Sequence, residues 1–427
     1  MLENIVIQLT EDIDRLPEEK PALEKLKVMF KNCFVSTFDT TVEFLDDGTA
    51  FVFTGDIPAM WLRDSSAQVR HYLPFVNRDE NIRKLIRGLI KRQMMYIQKD
   101  PYANAFNKEP NNHGHKTDIT VQNEWVWERK YEVDSLCYPV QLAYLYWKES
   151  NDSSIFDESF KATMKIILDL WKTEQNHNEN SPYRFIRENC AQTDTLSHDG
   201  RGAPVGYTGM TWSGFRPSDD ACTYGYLIPS NMFAVVVLGY MSEIMGKFYG
   251  DTILAQEAAR MKEEIKNGIE TFGIFEHPQY GKIYAYETDG YGNYNLMDDA
   301  NVPSLLSIPY FGYTTIDDPV YQNTRRFILS SDNPFFYEGK YGKGIGSPHT
   351  PKDHIWHIGL IMQGLTSNSK DEMLSILKIL INTDAGTNYM HESFHADDPA
   401  IYTRSWFAWA NSLLAEFIVY FASKNFS

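Results

Sequence analysis

Residues 232–272 read MFAVVVLGYMSEIMGKFYGDTILAQEAARMKEEIKNGIETF. Apolar side chains recur at helical spacing from Met232 to Phe248 and again from Ile253 to Phe272, so the stretch reads as two helices joined by a tight turn. The same period appears at Leu23–Phe34, Ile82–Ile97, Ser135–Trp147, Phe160–Leu170, Tyr321–Leu329, Ile355–Leu365, Glu372–Ile381 and Ser405–Phe421. That gives about ten to twelve helices. Strand-like alternation is confined to short pieces such as Ala50–Thr54 and Lys282–Tyr286.

Between the helices lie long segments dense in Trp, Asp, Glu, Asn, Gly and Pro: Gly55–Asp64, Asp100–Arg129, Asp194–Asp220, Thr288–Pro303 and Lys340–Lys352. Loops of that length are uncommon unless they carry function. No linker, composition shift, low-complexity tract or internal repeat divides the chain, so residues 1–427 are read as one domain. Helices separated by long polar-aromatic loops fit an all-α (α/α)6 barrel, a closed ring of helical hairpins whose loops form a pocket at one end.

Composition narrows the function. The chain has 427 residues, 43% of them hydrophobic, ample for a large core, and a net charge of -17. With a pI near 5.1, it repels phosphate backbones and anionic lipid, which argues against nucleic acid or a membrane surface as partner. No run approaches the roughly 18 apolar residues a membrane span requires, and the N-terminus lacks a basic segment followed by an apolar one. A cytoplasmic protein is expected. Cys33, Cys137, Cys190 and Cys222 are scattered without C-x-x-C spacing, which implies reduced, mostly buried thiols. Aromatic residues reach 14%, with 26 Tyr and 9 Trp. Such side chains fill cores, but they also offer flat faces with a polar handle to pyranose rings.

His391-Glu392-Ser393-Phe394-His395 satisfies the H-E-x-x-H pattern of zinc peptidases. That chemistry needs both histidines on one helix face. Asp384–Asn388 upstream is turn-rich and Pro399 closes the downstream side, so no helix of sufficient length is available. Three readings remain: a zinc site in spite of this, a solvated loop with a chance match, or a loop that delivers Glu392 to a cleft as a carboxylate catalyst.

Phe215-Arg216-Pro217-Ser218-Asp219-Asp220 places adjacent carboxylates beside a guanidinium. Partial desolvation of one aspartate would raise its pKa and keep a proton for a leaving-group oxygen; alternatively Ser218 or Asp219 caps a helix. Asp56–Ser65 (DIPAMWLRDS) sets Trp61 beside Arg63 and Asp64, a pair able to clamp vicinal hydroxyls or simply to form a surface ion pair. Trp125–Tyr131 and Gly346–Thr350 look like supporting subsites. Gly342–Gly346 lacks the strand-to-helix context of a nucleotide turn. His354 and His357, three apart on the expected Ile355–Leu365 helix, read as packing residues rather than metal ligands.

Taken together, GDIPAMWLRDSSAQVRHYLPF at 55–75, DPYANAFNKEPN at 100–111, WVWERKYEVDSLCYPV at 125–140, TGMTWSGFRPSDDA at 208–221, DDANVPSLLSIPY at 298–310 and the MHESFHADDP run closely resemble glycoside hydrolase family 125, the bacterial exo-α-1,6-mannosidases. The resemblance extends from about residue 30 to the C-terminus. It implies an (α/α)6 barrel that hydrolyses terminal α-1,6-linked mannose with inversion, without metal or other cofactor, on a manno-oligosaccharide or N-glycan fragment. By resemblance Asp219 is the general acid and Glu392 the general base. Trp61, Arg63 and Asp64 would line the subsite for the terminal sugar, with Glu128, Arg216, Asp220, His349 and Arg404 as neighbours. Whether Arg216 faces Asp219, Asp220 or the sugar is left open by the sequence. An inverting pair stands about 6.5–9.5 Å apart to admit a water.

Overall fold

The computed structural model describes residues 2–14 and 20–426. Twelve helices alternate between an outer and an inner ring. The outer ones are Lys20–Thr40, Glu80–Lys99, Glu158–Glu174, Thr252–Phe272, Pro319–Ile328 and Lys370–Asn382; the inner ones are Leu62–Arg70, Val133–Ser150, Ile228–Phe248, Ile308–Phe311, His357–Leu365 and Ala408–Phe426. Inner helices pack side by side from Leu62–Arg70 through Val133–Ser150 and Ile228–Phe248 to Ile308–Phe311. Ala408–Phe426 closes the ring by packing on His357–Leu365, on Leu62–Arg70 and on the outer helix Lys20–Thr40. The expected toroid is present.

Patterning explains the two rings. On the outer helix Thr252–Phe272 only Leu254, Ala258, Met261, Ile265, Gly268 and Ile269 are buried, a single stripe at helical period that needs one partner. The inner helix Ile228–Phe248 is buried nearly all round over its first half, as a helix between the core and its neighbours must be. It is also long and apolar enough to cross a membrane by length and composition, contrary to the expectation that no such run exists; 72% of its most apolar window is buried inside the barrel. The apolar side chains of both rings merge into one cluster that includes Phe30, Leu62, Trp171, Phe233 and Phe417. All four cysteines are free thiols, Cys33 and Cys137 buried, Cys190 and Cys222 half-buried.

The two rims differ in their connections. Inner helices pass to outer ones through the short segments 71–79, 151–157, 249–251, 312–318 and 366–369, whereas outer helices return through 41–61, 100–132, 175–227, 273–307, 329–356 and 383–407. The long returns carry three two-stranded hairpins and three three-stranded antiparallel sheets. Met60–Trp61, Ala105–Phe106 and Val126–Glu128 form one; Tyr226–Leu227, Glu287–Thr288 and Tyr294–Asn295 another; His354–Trp356, Ser393–His395 and Asp398–Thr403 the third. These strands fix segments that the sequence reads as irregular.

Capping divides along the same line. The outer helices starting at Glu80, Glu158, Thr252, Pro319 and Lys370 are each capped by a side chain, from Asp79, Asp157, Asp251, Asp318 and Ser369. The inner helices starting at Leu62, Val133, Ile228, Ile308 and His357 have no side-chain cap. Their N-termini, with the positive ends of their dipoles, point at the rim where the long loops gather.

Candidate active site

A pocket opens at that rim. Trp61, Arg63, Asp64, Asp219, His349, Glu392 and Arg404 line it, with Thr54, Ile57, Pro217, Ser218, Asn301, Trp356 and Phe407. Two roomier grooves on the barrel's outside, around Lys84 and around Tyr240, do not reach the inner-helix N-termini.

The Asp219 side is a buried ionic cluster. Arg63 is the second residue of its helix and only 2% exposed. It donates to Glu132 at 2.5 Å and Asp134 at 3.0 Å, and faces Asp64 and Asp219, each at 3.6 Å. The pair is buried rather than a surface ion pair: one guanidinium nitrogen serves Glu132 and Asp134, Nε is left without a hydrogen-bond partner, and Arg63 and Asp64 both line the pocket. Burial pushes the Asp64 carboxyl up to about 6 against the pull of Arg63.

The loop holding Asp219 folds on itself: Phe215 bridges Ala221, Arg216 N–H donates to the Asp220 carbonyl and Asp219 N–H to that of Arg216. Asp219 adopts φ +68°, a left-handed conformation that costs a non-glycine residue about 1–2 kcal/mol. Lys130 Nζ donates to the Asp219 carbonyl at 2.7 Å, and Asn104 Nδ2 lies 3.3 Å from Oδ1. Capping is excluded as its purpose, because the next inner helix begins only at Ile228 with Leu227 as N-cap.

Burial raises the Asp219 carboxyl, but Lys130, Arg63 and His349 outweigh it and hold the group below its ordinary value. Expected mutual perturbation with Asp220 is not what governs the site. Asp220 turns away, its Oδ1 3.1 Å from His349 Nδ1. Burial alone would lower the His349 pKa; the Asp220 carboxyl, with Asp219 and Glu392 beyond it, lifts it to about 9.

Glu392 enters the pocket from a different loop. It precedes the strand Ser393–His395, which lies between His354–Trp356 and Asp398–Thr403. Thr403 Oγ1 donates to Glu392 Oε2 at 2.9 Å and Arg404 reaches Oε1 at 3.5 Å. Arg404 sits at φ +40° and pairs with Asp56. Gly55 lies close enough to this segment that a Cβ would come within 2.6 Å of the Trp406 carbonyl oxygen. Only glycine lets the two loops meet there.

The H-E-x-x-H segment is neither a helix nor a solvated loop: His391 and Glu392 are buried and lead into the strand Ser393–His395. His391 stacks on Tyr402 at 3.9 Å with its nitrogens toward the Ser405 and Asp384 carbonyls, while His395 Nδ1 accepts from the Asp397 N–H. The rings serve separate partners. His354 likewise sits on a strand rather than a helix, and buried His357 contacts the His391 backbone and Thr383, as a packing residue does.

Three expected residues stand off the pocket wall. Arg216 donates to Glu287 at 2.6 Å, which resolves its orientation: it faces neither aspartate of its motif, and a salt bridge consumes it. Glu128 lies behind Asn104 and pairs with Arg187, and Asp220 acts on the pocket through His349. Sequence reasoning missed Asn104, Lys130, Glu132, Asp134 and Asn301. All five fall inside the quoted motifs, but nothing in their spacing announces which of them meet.

The family model for "Metal-independent alpha-mannosidase (GH125)" matches residues 24–419. A fission yeast (Schizosaccharomyces pombe) relative, the meiotically up-regulated gene 157 protein, is 39% identical, covering 97% of this chain and 85% of its own. A metal-independent α-mannosidase of Streptococcus pneumoniae, solved in a non-productive complex with α-1,6-mannobiose, superposes with TM-score 0.96 at 52% identity, over 99% of this chain and 98% of that one. A bacterial glucoamylase bound to acarbose shares the fold alone, with TM-score 0.58 and 13% identity over 94% of this chain and 55% of its own.

Proposed function

Because the chain belongs to glycoside hydrolase family 125, the metal-independent α-mannosidases, we propose that it removes terminal α-1,6-linked mannose, with inversion, from manno-oligosaccharides or N-glycan fragments. The observation that carries this reading is that Asp219 and Glu392, from distant loops, line one pocket. Asp219 protonates the glycosidic oxygen while Glu392 takes a proton from the water that attacks the anomeric carbon from the other face.

The surrounding groups fit these roles. Thr403 and Arg404 hold the Glu392 carboxyl in place from two sides. Trp61 Nε1 is buried without a partner, a donor available to a sugar hydroxyl, and Asp64 is an acceptor at the same depth. Trp356 and Phe407 supply apolar walls. A pocket floored by inner-helix N-termini leaves no exit for a chain beyond the terminal sugar, which favours exo action.

The test is proton NMR of α-1,6-mannobiose hydrolysis. β-Mannose should appear first, EDTA should leave the rate unchanged, and Glu392→Gln and Asp219→Asn should each cut kcat by about 10²–10⁴. First appearance of α-mannose overturns inversion, and full activity in either variant overturns that residue's role.

A further inference from the structure

Glu132 sits beneath the pocket rather than on its wall. It is the last residue before the inner helix Val133–Ser150, and its carboxyl is closed to solvent. Oε2 accepts from Arg63 at 2.5 Å and from Ser135 Oγ at 2.6 Å, while buried Oε1 has no donor. Arg63 joins it to Asp219: one guanidinium nitrogen holds Glu132 Oε2 at 2.5 Å and another lies 3.6 Å from Asp219 Oδ1. A bare carboxylate oxygen in the interior is costly, but a protonated one is a donor, and Asp219, on the same guanidinium, is the neighbouring acceptor.

Counting charge leads to the same place. Arg63 faces Asp64, Glu132, Asp134 and Asp219 within 3.6 Å; Lys130 and His349 also pull on Asp219 and Arg404 on Asp64, so Glu132 and Asp134, buried together on one guanidinium, are the carboxyls short of positive charge, and ionising both is costly. Asp64 comes from the helix of Arg63, Asp134 from that of Glu132, and Cys222 faces Glu132 from beyond the Asp219 loop. Burial drives the Glu132 carboxyl well above its usual range; Arg63 opposes, and Asp219 and Asp134 add to the rise. Asp219 moves the other way.

We propose that Glu132 is a positioning residue that stores the proton Asp219 delivers, the two carboxyls sharing one proton in the resting enzyme. The inference rests on the reading of Asp219 as general acid. In turnover the Oε1–H bond of Glu132 breaks as an O–H bond forms on Asp219, which gives its proton to the glycosidic oxygen; that oxygen keeps the electron pair of the broken C1–O bond. The attacking water loses a proton to Glu392. Glu392 then releases it to solvent, and the pair regains one proton through Asp219, the partly exposed member.

Glu132→Gln keeps the size of a protonated glutamate and cannot release a proton. It is expected to lower kcat on α-1,6-mannobiose at least about 100-fold, to leave 2,4-dinitrophenyl α-mannoside, whose leaving group needs no proton, within about threefold, and to move the alkaline limb of kcat/KM to lower pH. Equal losses on both substrates with an unmoved limb overturn the proposal and leave a structural residue. Asp219→Asn separates the two readings: if it shows no such substrate difference, Asp219 is not the acid; if it does and Glu132→Gln does not, only the proton store fails. Should Glu132→Gln not fold, Glu132→Asp, which withdraws the carboxyl, must still move the alkaline limb, and an unmoved limb overturns the proposal.

Discussion

The two rims of the barrel are built from the same helices and use their ends differently. At the back, where hairpins turn in a few residues, Asp79, Asp157, Asp251, Asp318 and Ser369 each close a helix N-terminus. At the mouth the inner helices start from Trp61, Glu132, Leu227, Ser307 and Trp356 without side-chain caps. Polar side chains there face the pocket or one another instead of their own helix. Stability is concentrated at one end of the ring, and strained, charged, incompletely satisfied groups at the other.

Substitutions test that division. Arg63→Leu at the mouth strands Glu132 and Asp134 without their cation; a loss of about 3–5 kcal/mol in urea unfolding, with activity below detection, is expected. A loss no greater than that of a cap would break the contrast. Asp157→Ala and Asp318→Ala at the back should each cost about 1 kcal/mol and leave kcat on the mannobioside unchanged. Altered turnover in either would show that the rims communicate.

The smallest effect concerns His349, whose folded-state pKa of about 9 lies above its ordinary 6.5. A raised pKa contributes stability that is complete below the unfolded value and is lost as pH rises through 9. Tm of the unaltered protein should therefore exceed that of His349→Gln below pH 6.5, and the gap should close by pH 9. A gap independent of pH would mean that His349 acts by packing and not by charge.

Much of the ring was legible in the sequence because long periodic segments suffice to make helices. Ile82–Ile97 and Ile253–Phe272 lie inside helices only a few residues longer, and Leu23–Phe34 lies inside the helix Lys20–Thr40. Ile308–Phe311 is one turn and has no period to read, and strands as short as Met60–Trp61 have no alternation. Ser393–His395 became a strand because Phe394 pairs on one side with Ile355, far back in the sequence, and on the other with the nearby Tyr402.

In the site, Trp61, Arg63, Asp64, Asp219, His349, Glu392 and Arg404 came together because the motifs that carry them were visible. Glu132 was not singled out, since its consequence depends on Arg63 and Asp219 arriving from elsewhere. Arg216 misled for the same reason: its partner, Glu287, lies 71 residues away.

Closure of the ring by Ala408–Phe426 against Lys20–Thr40 and Leu62–Arg70 also sets an order of events during synthesis. A nascent chain that has emerged only through Lys370–Asn382 has five of its inner helices, but neither Glu392, Arg404 and Phe407 nor the helix that seals the seam. Its apolar inner faces stay open to chaperones or to other chains until the last helix docks. Catalytic competence and topological completion thus arrive in the same final segment, so a truncated product is inert as well as unstable.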